Sequence, residues 1–212
     1  FLLGACSPFE KIAKNPDTAF KYEMAKMYYE KKDYSHAISL LEDIAQSYKG
    51  TEQSEDVLYM TAMSYMGQKD YYSASNYFST YVKTFPKGKH TEECRYMIGY
   101  CYYLDSPDAR LDQTPTIQAI TALSEFIEIY PESKYLSEAA KLIKELQEKL
   151  AYKAYLNARL YYNMGNYLGN NYLSAVITAR NAIRNYPNTK YKEELFMIVL
   201  RSKYEQALQS VV

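Results

Sequence analysis

The chain has 212 residues, with 25 Lys plus Arg against 25 Asp plus Glu, so no global field favours nucleic acid or acidic ligands. Glycine and proline are scarce at 7 each, which argues against a β-sandwich with many tight turns. The aromatic residues are 26 Tyr, 7 Phe and no Trp. Tyrosine packs an apolar ring while keeping its hydroxyl wet, which suits a thin helical layer with two exposed faces.

The first residues, Phe1-Leu2-Leu3-Gly4-Ala5-Cys6-Ser7, resemble a bacterial lipobox, in which the signal peptide is cut just before the cysteine. On that reading residues 1–5 are the residue of a signal peptide and 6–16 a lipidated tether. Cys6 then carries a diacylglycerol and an N-linked acyl chain, each buried CH₂ contributing on the order of 0.8 kcal/mol to membrane anchoring. The alternative is a short ordinary lead into the first helix. No run of 18 apolar residues occurs, so no transmembrane helix is expected.

Beyond the tether, four aromatic-anchored breaks recur: Tyr48-Lys49-Gly50-Thr51, Phe85-Pro86-Lys87-Gly88, Tyr130-Pro131-Glu132-Ser133 and Tyr186-Pro187-Asn188-Thr189. Between them lies the tetratricopeptide pattern, a small residue and a Tyr on one helix meeting an Ala on the next. The first repeat has Ala25, Tyr28 and Ala37, the second Ala62, Tyr65 and Ala74, the third Gly99, Tyr102 and Ala119. In the first two repeats Lys32-Asp33 and Lys69-Asp70 supply turns whose Asp caps the second helix. The interval from Tyr48 to Phe85 is close to the ~34-residue period of this class. The next interval is lengthened at 105–115, where Thr114 and Pro115 reopen a helix. In the last, Leu136 to about Met164 reads as one long helix, followed by an expanded turn at 165–171. Ala158, Tyr161, Ala175 and Ala182 keep the fourth repeat's pattern, and a final helix from about Lys190 to Ser210 covers the end of the stack. The expected fold is all-α, a tetratricopeptide-type α-solenoid of about five helical hairpins in a right-handed superhelix. Repeats one to three occupy 17–132; the fourth repeat and the C-terminal helices occupy 133–212.

In such arrays the first helix of each hairpin lines the concave face. The aligned inward positions are Tyr22, Lys26 and Tyr29, then Tyr59, Met63 and Met66, then Tyr96, Tyr100 and Tyr103. A tyrosine and methionine trough suits an extended peptide with apolar or aromatic side chains. The alternative is that several of these rings pack against neighbouring repeats.

Signals of catalysis are missing. There is no Gly-rich phosphate loop, nucleophile elbow or paired-histidine motif. Cys94 and Cys101 read as small buried side chains and His36 and His90 as isolated, so neither a metal nor another cofactor is expected. Glu92-Glu93 and Glu193-Glu194 fall in helical first turns, where acids favour the dipole. The interleaved Lys and Tyr of 149–153 read as a solvated helix face before an RNA surface. The chain is expected to be no enzyme and to bind no nucleic acid.

Several stretches carry a family resemblance: Asn15-Pro16-Asp17-Thr18-Ala19, Asp33-Tyr34-Ser35-His36-Ala37-Ile38, Arg110-Leu111-Asp112-Gln113-Thr114-Pro115-Thr116, and Glu125-Phe126-Ile127-Glu128-Ile129-Tyr130-Pro131 leading into Ser133-Lys134-Tyr135. With the lipobox, the lengthened third-repeat turn and the long fourth-repeat helix, the chain from Cys6 onward resembles the BamD (YfiO-like) family. These are tetratricopeptide lipoproteins of the machinery that assembles outer-membrane β-barrels. The resemblance implies a lipid on Cys6 that holds the domain on the periplasmic face of the outer membrane. It implies that the N-terminal repeats engage the aromatic-ended C-terminal segment of unfolded outer-membrane proteins. It also implies that the later repeats dock a BamA-like barrel protein, with Arg110, Asp112 and Gln113 as candidate contacts. Two other readings share the fold: a lipid-anchored adaptor of a secretion, gliding or glycan-uptake apparatus, and a cytosolic co-chaperone.

Overall fold

A computed structural model describes residues 8–210. Cys6, and with it the lipobox, lies outside the described residues. Among these residues the secondary structure is ten helices and no strand: α1 (Pro8–Ala13), α2 (Thr18–Glu30), α3 (Tyr34–Tyr48), α4 (Ser54–Gly67), α5 (Tyr71–Thr84), α6 (Thr91–Asp105), α7 (Thr114–Ile129), α8 (Leu136–Met164), α9 (Asn171–Asn185) and α10 (Lys192–Gln209). The fold is all-α, built of helical hairpins, as the repeat pattern requires. The long helix expected from Leu136 to about Met164 is α8.

The hairpin turns follow from a two-residue device used twice. Lys32 and Lys69 take left-handed φ of 60° and 64°, ending α2 and α4. Asp33 N–H then donates to Tyr28 O and Asp70 N–H to Tyr65 O, closing the exposed carbonyl ends. The same aspartates turn their side chains forward, accepting from His36 N–H and Ser73 N–H to cap α3 and α5. Asp17 and Asn170 do the same for α2 and α9.

The chain divides into two compact units. Among the described residues, the first runs to Asp105 and resumes over Thr121–Ala139; the second comprises Ser106–Ile120 and everything from Ala140. In the first unit Ala25 and Ala37 share one core at full burial, and Ala62 and Ala74 the next, with Leu40, Leu41 and Ile44 in the first and Phe78 and Tyr81 in the second. Fully burying such side chains stabilises by about 1.5–3 kcal/mol each. Residues 8–13, assigned to the tether by sequence, are helical instead. Phe9 and Ile12 pack on the first core, and the Phe9 ring lies 4.0 Å from the His36 ring. In the second unit Ala158, Ala175, Ala179 and Ala182 let α8, α9 and α10 close on Leu195 and Ile198.

Gly99 marks a close crossing of α6 and α7. A Cβ there would stand 2.7 Å from Leu123 Cγ and 3.1 Å from its backbone nitrogen. Gly99→Val is therefore expected to lower stability by at least about 1–3 kcal/mol, from overpacking. Chemical denaturation checks this, and a midpoint equal to the parent's refutes the close approach.

Candidate functional site

The aligned first-helix tyrosines turn out to share a structural task. After each Pro-containing break, at a constant offset, comes a ring: His90, Tyr135 and Tyr191. Each lies flat on a tyrosine of the preceding first helix. His90 stacks on Tyr59 at 3.8 Å and 10°, Tyr135 on Tyr96 at 4.5 Å and 5°, and Tyr191 on Tyr155 at 5.4 Å and 10°. Tyr22, the first of the series, instead meets Tyr48 at 5.3 Å. Cations cover several of these rings: Lys26 over Tyr22, Lys134 over Tyr135, Lys190 over Tyr191 and Arg159 over Tyr155. The constant offset from break to ring is written in the sequence, and it signals these stacks where helical periodicity does not.

In the first unit these stacks converge on Glu93. Its carboxylate accepts from Tyr59 OH at 3.0 Å and from Tyr135 OH at 3.3 Å, and its Oε2 lies 3.6 Å from His90 Nδ1. Burial, and then the Glu93 charge, push the Tyr59 phenol well above its ordinary range, so it stays protonated. Tyr29 is raised by burial first and then by the nearby Tyr34 and Glu93. The α6 tyrosines form a second patch, a ladder in which Tyr100 stacks on Tyr96 at 5.8 Å and on Tyr103 at 6.0 Å. Tyr96 is only 4% exposed, which corrects its place among the peptide-facing residues: it supports the ladder from beneath. Tyr22, Lys26, Tyr29, Tyr59, Met63, Met66, Tyr100 and Tyr103 are half-buried. Met66 Sδ lies 3.8 Å from the buried Cys101 thiol. A half-buried tyrosine or methionine offers apolar area while its polar or polarisable atoms adapt to different side chains.

In the second unit the lengthened turn before α7 is tied down by two lysines of α8. Lys149 donates to Ser106 O at 3.2 Å and to its Oγ at 2.7 Å, and Lys153 donates to Leu111 O at 2.5 Å. Burial pushes the Lys149 ammonium pKa down from its ordinary value. Gln113, expected to face a partner, is corrected to an internal staple. It is 5% exposed; its Nε2 donates to Asp108 O and Leu111 O, and its Oε1 accepts from Thr116. Asp112 accepts from the Thr114 backbone N–H at 3.0 Å, and hydrogen bonds from Thr114 hold its carboxyl below the usual range. Arg110 is the outward member of the three, its side chain 75% exposed and its Nε 3.5 Å from Asp108. It faces a groove of about 580 Å³ whose other wall is α8, with Lys153, Leu156, Arg159 and Leu160. Lys153, expected on a solvated face, borders this groove together with Arg159.

The cysteines and the acidic pair of α6 have structural surroundings. The Cys94 and Cys101 thiols are fully buried and pushed up to about 12 by burial, so neither is a nucleophile at neutral pH. Of the acidic pair, Glu92 accepts from Ser133 and Glu93 from two tyrosines.

Comparison with known proteins adds a family. The sequence model of the YfiO family, described as outer membrane lipoprotein, matches residues 14–211. Among similar curated proteins is the putative outer membrane protein assembly factor BamD of Aquifex aeolicus, 31% identical over 196 residues, covering 92% of this chain and 62% of that protein. The outer membrane protein assembly factor BamD of Caulobacter vibrioides is 22% identical over 88% of this chain and 62% of its own length. That of Neisseria meningitidis serogroup B is 22% identical over 93% of this chain and 78% of its own. The chain thus spans about 62% of the length of the first two relatives.

Proposed function

We propose that this chain, which belongs to the YfiO family of outer membrane lipoproteins, is a non-catalytic, lipid-anchored scaffold for the assembly of outer-membrane β-barrel proteins. The match over residues 14–211 carries the reading, since it takes in both compact units and both candidate surfaces. The lipid is assigned to Cys6 on the lipobox pattern; among the described residues no helix is long and apolar enough to cross a membrane. The first unit, with its half-buried tyrosines and methionines, holds extended apolar and aromatic segments of unfolded outer-membrane proteins. The second unit docks a BamA-like barrel protein at the periplasmic face of the outer membrane.

The peptide role is tested on the outer rungs of the α6 ladder. Tyr100→Ala with Tyr103→Ala is expected to weaken binding of a peptide ending in phenylalanine by at least about tenfold. Fluorescence anisotropy measures the affinity, and far-ultraviolet circular dichroism verifies that the helices persist. Equal affinity in parent and variant would sink the groove assignment. Affinity purification from detergent-solubilised membranes tests the assembly itself, where recovery without a BamA-like barrel protein counts against it.

A further inference from the structure

The geometry points to the groove between the Arg110 turn and α8 as a receptor for an acidic, apolar-centred segment of a protein partner. The inference deepens the scaffold reading above and rests on it.

Three cations border the groove: Arg110 from the turn, and Lys153 and Arg159 from α8. No carboxylate side chain lines it, although acids and bases balance along the whole chain. The positive charge is therefore local. Arg159 makes no ion pair with any described residue, and its guanidinium lies 5.4 Å over the Tyr155 ring. Arg159 also borders a second groove holding Glu193 and Glu194 on α10, and neither of these pairs with it. Lys153 spends one hydrogen bond on Leu111 O, and Arg110 meets Asp108 only at 3.5 Å, through a side chain open to water. Both keep donors for an incoming acid.

Two leucines stand among the cations on the α8 wall. Leu156 and Leu160 lie one helical turn apart, and Leu160 is 57% exposed. An exposed leucine flanked by arginines matches a partner with one apolar side chain flanked by carboxylates. The arginines bind the carboxylates through forked hydrogen bonds, and the leucines take the side chain between them. Two asparagines, Asn157 and Asn163, stand ready for backbone groups of an extended or helical segment. The cations border a recess that holds two leucines and two asparagines, so a protein segment fits better than the flat headgroup layer of a membrane.

The test uses the full chain in detergent with three probes. One is a synthetic peptide carrying a leucine between paired glutamates; the second is its glutamine counterpart; the third is phosphatidylcholine vesicles containing phosphatidylglycerol. The acidic peptide is expected to bind, to weaken as salt rises, and to lose at least about tenfold in affinity when both Arg110→Gln and Arg159→Gln are present. Leu160→Glu, at an exposed position, is expected to lose as much by placing a carboxylate in the groove. Equal binding of the glutamine peptide, or unchanged affinity in both variants, overturns the proposal, as does vesicle binding that depends on the same residues while the peptide is ignored. The same variants are titrated with the phenylalanine-ended peptide. If that peptide binds and the acidic one does not, the groove assignment falls and the scaffold reading stands. If the phenylalanine-ended peptide fails on the parent chain as well, the scaffold reading falls.

Discussion

Truncating Phe126 to alanine is expected to destabilise the first unit by about 3–5 kcal/mol, the range for deleting a buried phenyl ring. Phe126 is fully buried on α7, and three other rings rest on it. Its centroid lies 5.7 Å from Tyr96 in an edge-to-face contact, 5.6 Å from Tyr130 and 6.5 Å from Tyr135. Removing it leaves a cavity at the base of the Tyr96–Tyr135 stack, which supports the Tyr100 and Tyr103 ladder above. Aromatic pairs add about 0.5–1.5 kcal/mol beyond burial, so the loss belongs at the upper part of the range. Urea denaturation with an unchanged slope gives the difference directly. The near-ultraviolet dichroism of the tyrosines should fall even under conditions where the variant stays folded. A loss below about 1 kcal/mol would mean that the rings are held by something other than this core.

What the sequence disclosed and what it hid divide along a physical line. The helix starts at Tyr34 and Tyr71, the length of α8, and the Ala25–Ala37 and Ala62–Ala74 crossings were legible because each is written locally, in a cap, a breaker or a small residue at fixed spacing. The surfaces were harder to read. Tyr59 and Tyr96 occupy inward positions by periodicity, yet each is committed to a ring from the next repeat, and periodicity says nothing of a ring that arrives from another segment. Gln113 appeared as one polar residue in a polar turn. Only the folded turn brings the carbonyls of Asp108 and Leu111 to its amide and makes it a staple. Lys149 and Lys153 carried the reverse error: their lysine type suggested solvent, while the turn supplied each with a backbone carbonyl. The helix α1 was not legible within the expected tether because six residues carry too little periodicity to show a face. Its docking depends on Phe9 finding His36 and Tyr28.

The abundance of tyrosine also sets how the fold should fail in alkali. Burial, followed by a carboxylate acceptor, raises the phenols of Tyr59 (Glu93), Tyr65 and Tyr77 (both Glu42), Tyr81 (Glu55) and Tyr96 (Glu138) above the ordinary 10.0. Tyr65 reaches about 12, and the Cys94 and Cys101 thiols rise from 9.0 to about 12. A group whose folded pKa lies above its unfolded value binds its proton more tightly when folded. Its contribution is fully present below the unfolded value and is lost as pH climbs through the folded one. Stability should therefore hold up to about pH 9, then fall with increasing slope between 9 and 12 as thiols and phenols ionise in the unfolded chain first. At the other end, hydrogen bonds from His36 and from Thr114 lower Asp33 and Asp112 below the ordinary 3.8, so their contribution is present above that pH and lost beneath it. The expected observation is a late, steep component of the tyrosinate absorbance that coincides with loss of helical dichroism. Absorbance that finishes rising while the helices are intact would refute the coupling. Glu42→Gln sharpens the test, because Tyr65 and Tyr77 both donate to Glu42 Oε1 at 2.7 Å and their rings stack at 5.2 Å. Without that charge the two phenols should ionise at lower pH, ahead of unfolding, as a separate early phase in the absorbance. If the variant's curve overlays the parent's, the shared carboxylate is not what holds these protons.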